Sequence, residues 1–208
     1  MGLGRVTVFG SSQVTPGEAV YRDAVRLGRL LAERGYTVCS GGYTGVMEAV
    51  SRGAAEASGT VIGITVEAWA SRQQPNAWVA REVVTPHLFE RLMRLVESDA
   101  YVALRGGPGT LGEVALVWNL FQTESIPLRP LILVGPEWRQ LVRCFEAELR
   151  VESGDLALLQ FAGTVEEVLP LLPGPPGRAR PSVAPRRGQT RPAPPRRTPG
   201  SGTASRGS

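Results

Sequence analysis

Residues 101–122, YVALRGGPGTLGEVALVWNLFQ, constrain the fold of this chain more than any other stretch. The apolar opening, residues 101–104, reads as a buried parallel strand, and Gly106, Gly107, Pro108 and Gly109 then turn the chain sharply. A helix follows at once. Val114, Val117, Trp118 and Phe121 recur at helical spacing, and Pro108 and Thr110 are residue types favoured where helices begin. Glycines let backbone N–H groups approach a ligand closely, and the unpaired N–H groups and positive dipole end of a helix favour an anion. The turn therefore suits a phosphate. Glu113 is expected in the first turn of that helix, beside whatever the glycines hold.

Apolar periodicity predicts further strands at 5–9, 36–39, 60–64, 82–85 and 130–134. Helices are predicted at 16–34, from Gly42 through Val46, Met47 and Val50, and at 86–98, 137–150 and 165–172. Alternating strands and helices specify an α/β, Rossmann-like, doubly wound parallel sheet. In helix 86–98, Leu88, Leu92, Leu95 and Val96 form the inward stripe, and Arg91 lies off it. Residues 65–80 lack periodicity and hold Trp69, Asn76 and Trp78, as a lid or an interface element would.

The chain nearly repeats itself. Twice a strand meets Gly-Gly, a helix begins, and a glutamate lies six residues beyond the second glycine: Gly42 to Glu48, and Gly107 to Glu113. On neighbouring strands, two such turns would face each other across the carboxyl edge of the sheet and leave a nucleotide-sized cleft. Gly10, Ser11 and Ser12, after the first strand, would add donors to an oxyanion.

Composition narrows the chemistry. Of 208 residues none is lysine, which excludes a Schiff base, a lysine-bound pyridoxal phosphate and a Walker A loop. Cys39, Cys144 and His87 support neither a disulfide framework nor a zinc site, and no cofactor is expected. With no long apolar run and no charged leader, a cytoplasmic protein without a membrane span is expected. Residues 1–172 read as one domain and 173–208 as a disordered tail, with nine prolines, eight arginines and no acidic residue. Removing those arginines leaves 15 basic against 19 acidic residues, so the net charge of +4 comes from the tail. Such a tail could touch nucleic acid, although a solvated appendage is the simpler expectation.

These residues resemble the LOG (Lonely Guy) family, also called lysine decarboxylase-like Rossmann proteins. The family motif PGGxGTxxE is matched by residues 105–113, RGGPGTLGE, and the resemblance takes in Gly10-Ser11-Ser12, Gly41-Gly42, Gly45, Met47 and the Glu90-Arg91 pair. It implies a homodimer that hydrolyses nucleoside 5′-monophosphates, such as cytokinin nucleotides or AMP, to a free base and ribose 5-phosphate. It implies that Gly106, Gly107, Gly109 and Thr110 hold the phosphate, with Arg91 and Glu113 catalytic. Gly10, Ser11, Ser12, Gly41, Gly42, Gly45 and Met47 would complete the binding site. Three features depart from the pattern: Arg105 replaces the proline, Leu92 stands where lysine is common, and the spacing from Arg91 to Asp99 is one residue shorter. The decarboxylase label does not suit a chain without lysine.

Two other classes stay open at this point. One is a non-catalytic binder of nucleotides or phosphorylated cofactors, similar to the molybdenum cofactor carrier proteins. The other is a nucleic-acid-associated protein acting through its tail.

Overall fold

Alternate residues of the central strands enter two separate cores, so the sheet is covered on both faces. Val6, Val8, Val38, Val102 and Ile132 pack into one core. Phe9, Cys39, Tyr101, Leu131 and Leu133 pack into the other. The computed structural model describes residues 3–174. In chain order the elements are β1 (Leu3–Phe9), α1 (Ala19–Glu33), β2 (Tyr36–Ser40), α2 (Val46–Glu56) and β3 (Val61–Val66), then a 3₁₀ turn at Glu67–Trp69. They continue with β4 (Arg81–Thr85), α3 (Leu88–Leu95), β5 (Ala100–Ala103), α4 (Pro108–Gln122), β6 (Leu131–Val134), α5 (Pro136–Glu148), α6 (Ser153–Leu156) and β7 (Gln160–Ala162). A 3₁₀ helix at Glu166–Leu171 follows.

All neighbouring strands are parallel, in the order β4-β3-β2-β1-β5-β6-β7. The fold is a doubly wound, Rossmann-like α/β sheet. Buried side chains of α1 and α2, among them Leu27, Leu31, Val46 and Val50, fill one core. Leu95 of α3, Val117 and Phe121 of α4 and Trp138 of α5 fill the other. Burying a leucine of this kind is worth about 1.5–3 kcal/mol, so the two faces dominate the stability of the sheet. The strand order reverses at β1: the chain winds outward through β2, β3 and β4, then returns to place β5 on the other side of β1. The loops leaving β1 and β5 diverge there and open a crevice at the carboxyl edge.

Several expectations need correction. The two glycine turns follow β2 and β5, which are not neighbours, because β1 lies between them. The turn after β1 therefore becomes part of the crevice. Glu113 is the sixth residue of α4 and sits in its second turn, since the helix starts at Pro108. On α3, Leu88 is exposed while Arg91 is buried, so the inward face is rotated from the predicted stripe. The helix is short, and its Arg91 guanidinium reaches the Ile64 carbonyl within β3, a contact that an apolar stripe does not reveal. Between 149 and 164 no element was expected, yet α6 and the three-residue β7 form there. Pro173, counted with the tail, accepts a hydrogen bond from the Tyr36 hydroxyl. The expectation for the rest of the tail falls outside the described residues, apart from Gly174.

Candidate active site

The turn from β5 into α4 builds one end of the crevice. Gly107 precedes the helix in extended conformation, and no side chain caps it. The first helical bond here runs from Leu111 N–H to Gly107 O at 3.0 Å. Pro108 has no N–H, so Gly109 and Thr110 carry the helix-end donors that helical geometry leaves unpaired. A side chain added at Gly107 or Gly109 would meet nothing within 4 Å, so these two glycines face open space. Gly106 differs: a Cβ there would run into the buried Thr110 side chain, and the residue serves the tightness of the turn.

Backbone bonds tie this turn to the other two. Ser11 N–H donates to Arg105 O at 3.2 Å, and Val46 N–H donates to Ser11 O at 2.8 Å. Thr44 Oγ1 donates to Ser12 O at 3.0 Å. The turn after β1 thus bridges the turns after β5 and β2. Gly10 leaves room for Val46, whose Cγ1 would lie 2.5 Å from an added Cβ. Gly42 and Gly45 have φ of +77° and +70°, which side chains rarely adopt, and neither lines the crevice. They shape the turn. Gly41 has a direct link to the chemistry, because a Cβ there would collide with the Arg91 guanidinium.

Arg91 and Glu113 meet in the middle of the crevice. Arg91 Nη1 lies 3.5 Å from Glu113 Oε1, with the two side chains only 6% and 14% exposed. Arg91 Nε donates to Ile64 O at 2.9 Å, which fixes the plane of the guanidinium against the second half of β3. Its Nη2 approaches Met47 Sδ at 3.8 Å. The Tyr43 and Trp69 rings lie 5.8 and 5.7 Å from its Cζ. Burial pushes the Glu113 carboxyl up to about 7, and the nearby Arg91 charge opposes that rise without cancelling it. Burial also lowers the Arg91 pKa, against the pull of Glu113. A carboxyl titrating near neutrality, held by a fixed cation, is suited to acid–base work.

The crevice encloses about 360 Å³. Gly10, Ser11, Ser12, Gly41, Met47, Arg91, Gly107, Gly109, Thr110 and Glu113 line it, so ten of the thirteen residues singled out in the sequence converge. Gly42 and Gly45 are buried behind the wall, and Gly106 is exposed outside the crevice. Tyr43, Trp69, Gln13 and Gln73 also line it and were not assigned to the site by sequence. Tyr43 directly follows the Gly-Gly pair, which could have flagged it. The repeated glutamate does not repeat its role: Glu48 accepts a hydrogen bond from Tyr21 Oη at 3.3 Å between α2 and α1. Arg105 points away and pairs with Glu137 at 3.6 Å on the surface.

Comparison with known proteins gives the same region a lineage. The family model for the SLOG cluster4 family matches residues 4–127. The chain is 33% identical over 136 residues to an uncharacterized protein of Archaeoglobus fulgidus, covering 65% of this chain and 87% of that one. It is 30% identical over 135 residues to a cytokinin riboside 5′-monophosphate phosphoribohydrolase of Mycobacterium tuberculosis, covering 63% and 70%. Among solved structures it is similar to the molybdenum cofactor binding protein of Rippkaea orientalis, with a TM-score of 0.64 and 27% identity over 80% of this chain and 93% of that one.

Proposed function

The chain belongs to the SLOG cluster4 family, which is LOG-like, and on that premise we propose that it hydrolyses the N-glycosidic bond of nucleoside 5′-monophosphates. The products are a free base and ribose 5-phosphate, and AMP and cytokinin monophosphates are the substrates to test first. The observation that carries this reading is the buried Arg91–Glu113 pair, which lines the same crevice as Gly107, Gly109 and Thr110 at the start of α4. The phosphate would rest on Gly107, Gly109 and Thr110, which places the sugar beside Glu113.

As the C1′–N bond breaks, its electron pair leaves with the base and positive charge builds on the ribose ring. Ionised Glu113 stabilises that charge and takes a proton from the attacking water, whose oxygen bonds to C1′. Glu113 passes that proton to the departing base, so the reaction consumes one water and returns Glu113 to its ionised form. Arg91 holds Glu113 in place and favours its ionised form. A nucleotide substrate of this kind would be met in the cytoplasm.

We also propose that the protein is a homodimer. Leu88, Phe89 and Met93 of α3 and Val84 of the edge strand β4 are exposed, an apolar group on the elements beside the site. A second reading is favoured by the likeness to the molybdenum cofactor binding protein: a carrier that binds a phosphorylated ligand without cleaving it. Chromatography of products after incubation with a panel of nucleoside monophosphates separates the two. Release of free base supports the hydrolase, whereas tight binding without release supports the carrier.

A further inference from the structure

The Arg91 guanidinium meets a side chain that the proposed reaction does not use, the thioether of Met47. We propose that Met47 is a reversible oxidation site, at which conversion of the thioether to its sulfoxide draws Arg91 off Glu113 and loosens the buried pair. Its effect on turnover rests on the hydrolase reading above, whereas the oxidation and its pull on the pair do not.

Met47 is the second residue of α2, and its backbone O accepts from Ser51 Oγ at 2.7 Å within that helix. Its Sδ lies 3.8 Å from Arg91 Nη2. Gly41 keeps the meeting point clear, because a Cβ there would lie 2.5 Å from Sδ and 1.7 Å from Nη2. A thioether is a weak acceptor, so the contact holds the guanidinium lightly. Nη1 is also held at a distance, 3.5 Å from Glu113 Oε1, and the firm bond of the group is Nε to Ile64 O at 2.9 Å. The guanidinium is thus anchored through Nε and loosely shared between Met47 and Glu113.

Oxidation changes that balance. Sδ gives an electron pair to one oxygen of a peroxide, and the O–O bond breaks as the S–O bond forms. The proton of the transferred hydroxyl leaves with the other oxygen as water, and the sulfur is left as a sulfoxide. Met47 is partly exposed and lines the crevice of about 360 Å³, which admits a small oxidant and leaves room for the added oxygen. A sulfoxide oxygen is a strong acceptor, and a charge-assisted bond from Nη2 closes to about 2.7–2.9 Å. Such a bond outcompetes the longer contact with Glu113.

The consequence falls on the carboxyl. Arg91 is the charged group that acts on Glu113, and Tyr43 and Cys39 are the other titratable groups that act on Arg91. Arg91 favours the ionised carboxylate, so its withdrawal leaves more of Glu113 protonated at neutral pH. Met93, 49% exposed on α3, supplies an internal comparison.

The test treats the full chain with hydrogen peroxide, maps the product by peptide mass spectrometry, and titrates the Glu113 carboxyl by carbon-13 NMR, assigned with Glu113→Gln. Met47 should gain one oxygen, and methionine sulfoxide reductases should remove it. The Glu113 midpoint should move to higher pH by about half a pH unit or more. AMP cleavage at neutral pH should slow by about twofold or more. Met47→Leu should show the same midpoint before and after peroxide, and Met93→Leu should respond as the parent does. Met47→Gln, which carries a carbonyl acceptor, should show the raised midpoint without peroxide. A Met47 that stays unmodified while Met93 is oxidised overturns the proposal. So does a midpoint that oxidation of Met47 leaves in place, or one that moves in Met47→Leu as well. A chain that cleaves no nucleotide but shifts its midpoint as stated supports the oxidation site and overturns the hydrolase reading alone.

Discussion

Gly41 is buried against Arg91 so closely that a Cβ at position 41 would collide with the guanidinium, although the two residues lie on different elements. The glycine after β2 therefore serves the ion pair as well as its own turn. Gly41→Ala should displace Arg91 from Glu113 and lower turnover by about 10² or more if the pair acts as a unit. Single-turnover kinetics, with circular dichroism to verify folding, measures this.

Gly107 and Gly109 should behave differently. Both face open space, so alanine at either position should leave the melting temperature unchanged. A methyl group would nonetheless stand where a phosphate oxygen approaches the helix-end N–H groups. The affinities for nucleotide and for ribose 5-phosphate should fall together, as calorimetry would show; unchanged affinity for both would remove the phosphate from this turn.

Activity should depend on pH through Glu113. Its carboxyl is raised to about 7, and the ionised form is the one that stabilises a sugar cation, so kcat/KM should rise from acid pH toward a plateau above neutrality. The substrate phosphate also titrates, at about pH 6, so one profile does not isolate the carboxylate. Arg91→Gln does. Arg91 lowers the Glu113 pKa, and its removal should move the acid limb to higher pH while the phosphate stays where it was. An acid limb that does not move would separate Arg91 from the titration.

Most of this site was legible where chemistry and sequence are adjacent. Gly107, Gly109, Thr110 and Glu113 lie within one strand–turn–helix unit, and only the helical turn assigned to Glu113 was off. Arg91 was named as a site residue, but its burial was not foreseen, because a buried guanidinium held by Ile64 O and Glu113 leaves no apolar signature in its own helix. Trp69 and Gln73 come from an aperiodic segment, which Asn76 ties to Gly42 O and Tyr43 O and which places Trp69 against Tyr43. The placement of β1 between the glycine turns is a property of strand order, which local patterns do not carry.

The proposed dimer can be tested on α3. Phe89 is 78% exposed beside Leu88 and Met93. Phe89→Glu should convert a dimer to a monomer in sedimentation at micromolar concentration, with the fold retained. A parent that sediments as a monomer contradicts the proposal.

The central claim is that Glu113 acts on the sugar cation and that the α4 N-terminus holds the phosphate. Glu113→Gln keeps size and hydrogen-bonding capacity and removes the charge, so the measurement is the single-turnover rate of AMP and cytokinin monophosphate cleavage beside nucleotide affinity. The account predicts a rate lower by about 10² or more with affinity nearly unchanged. A Glu113→Gln protein that cleaves both nucleotides at the parent rate would contradict it.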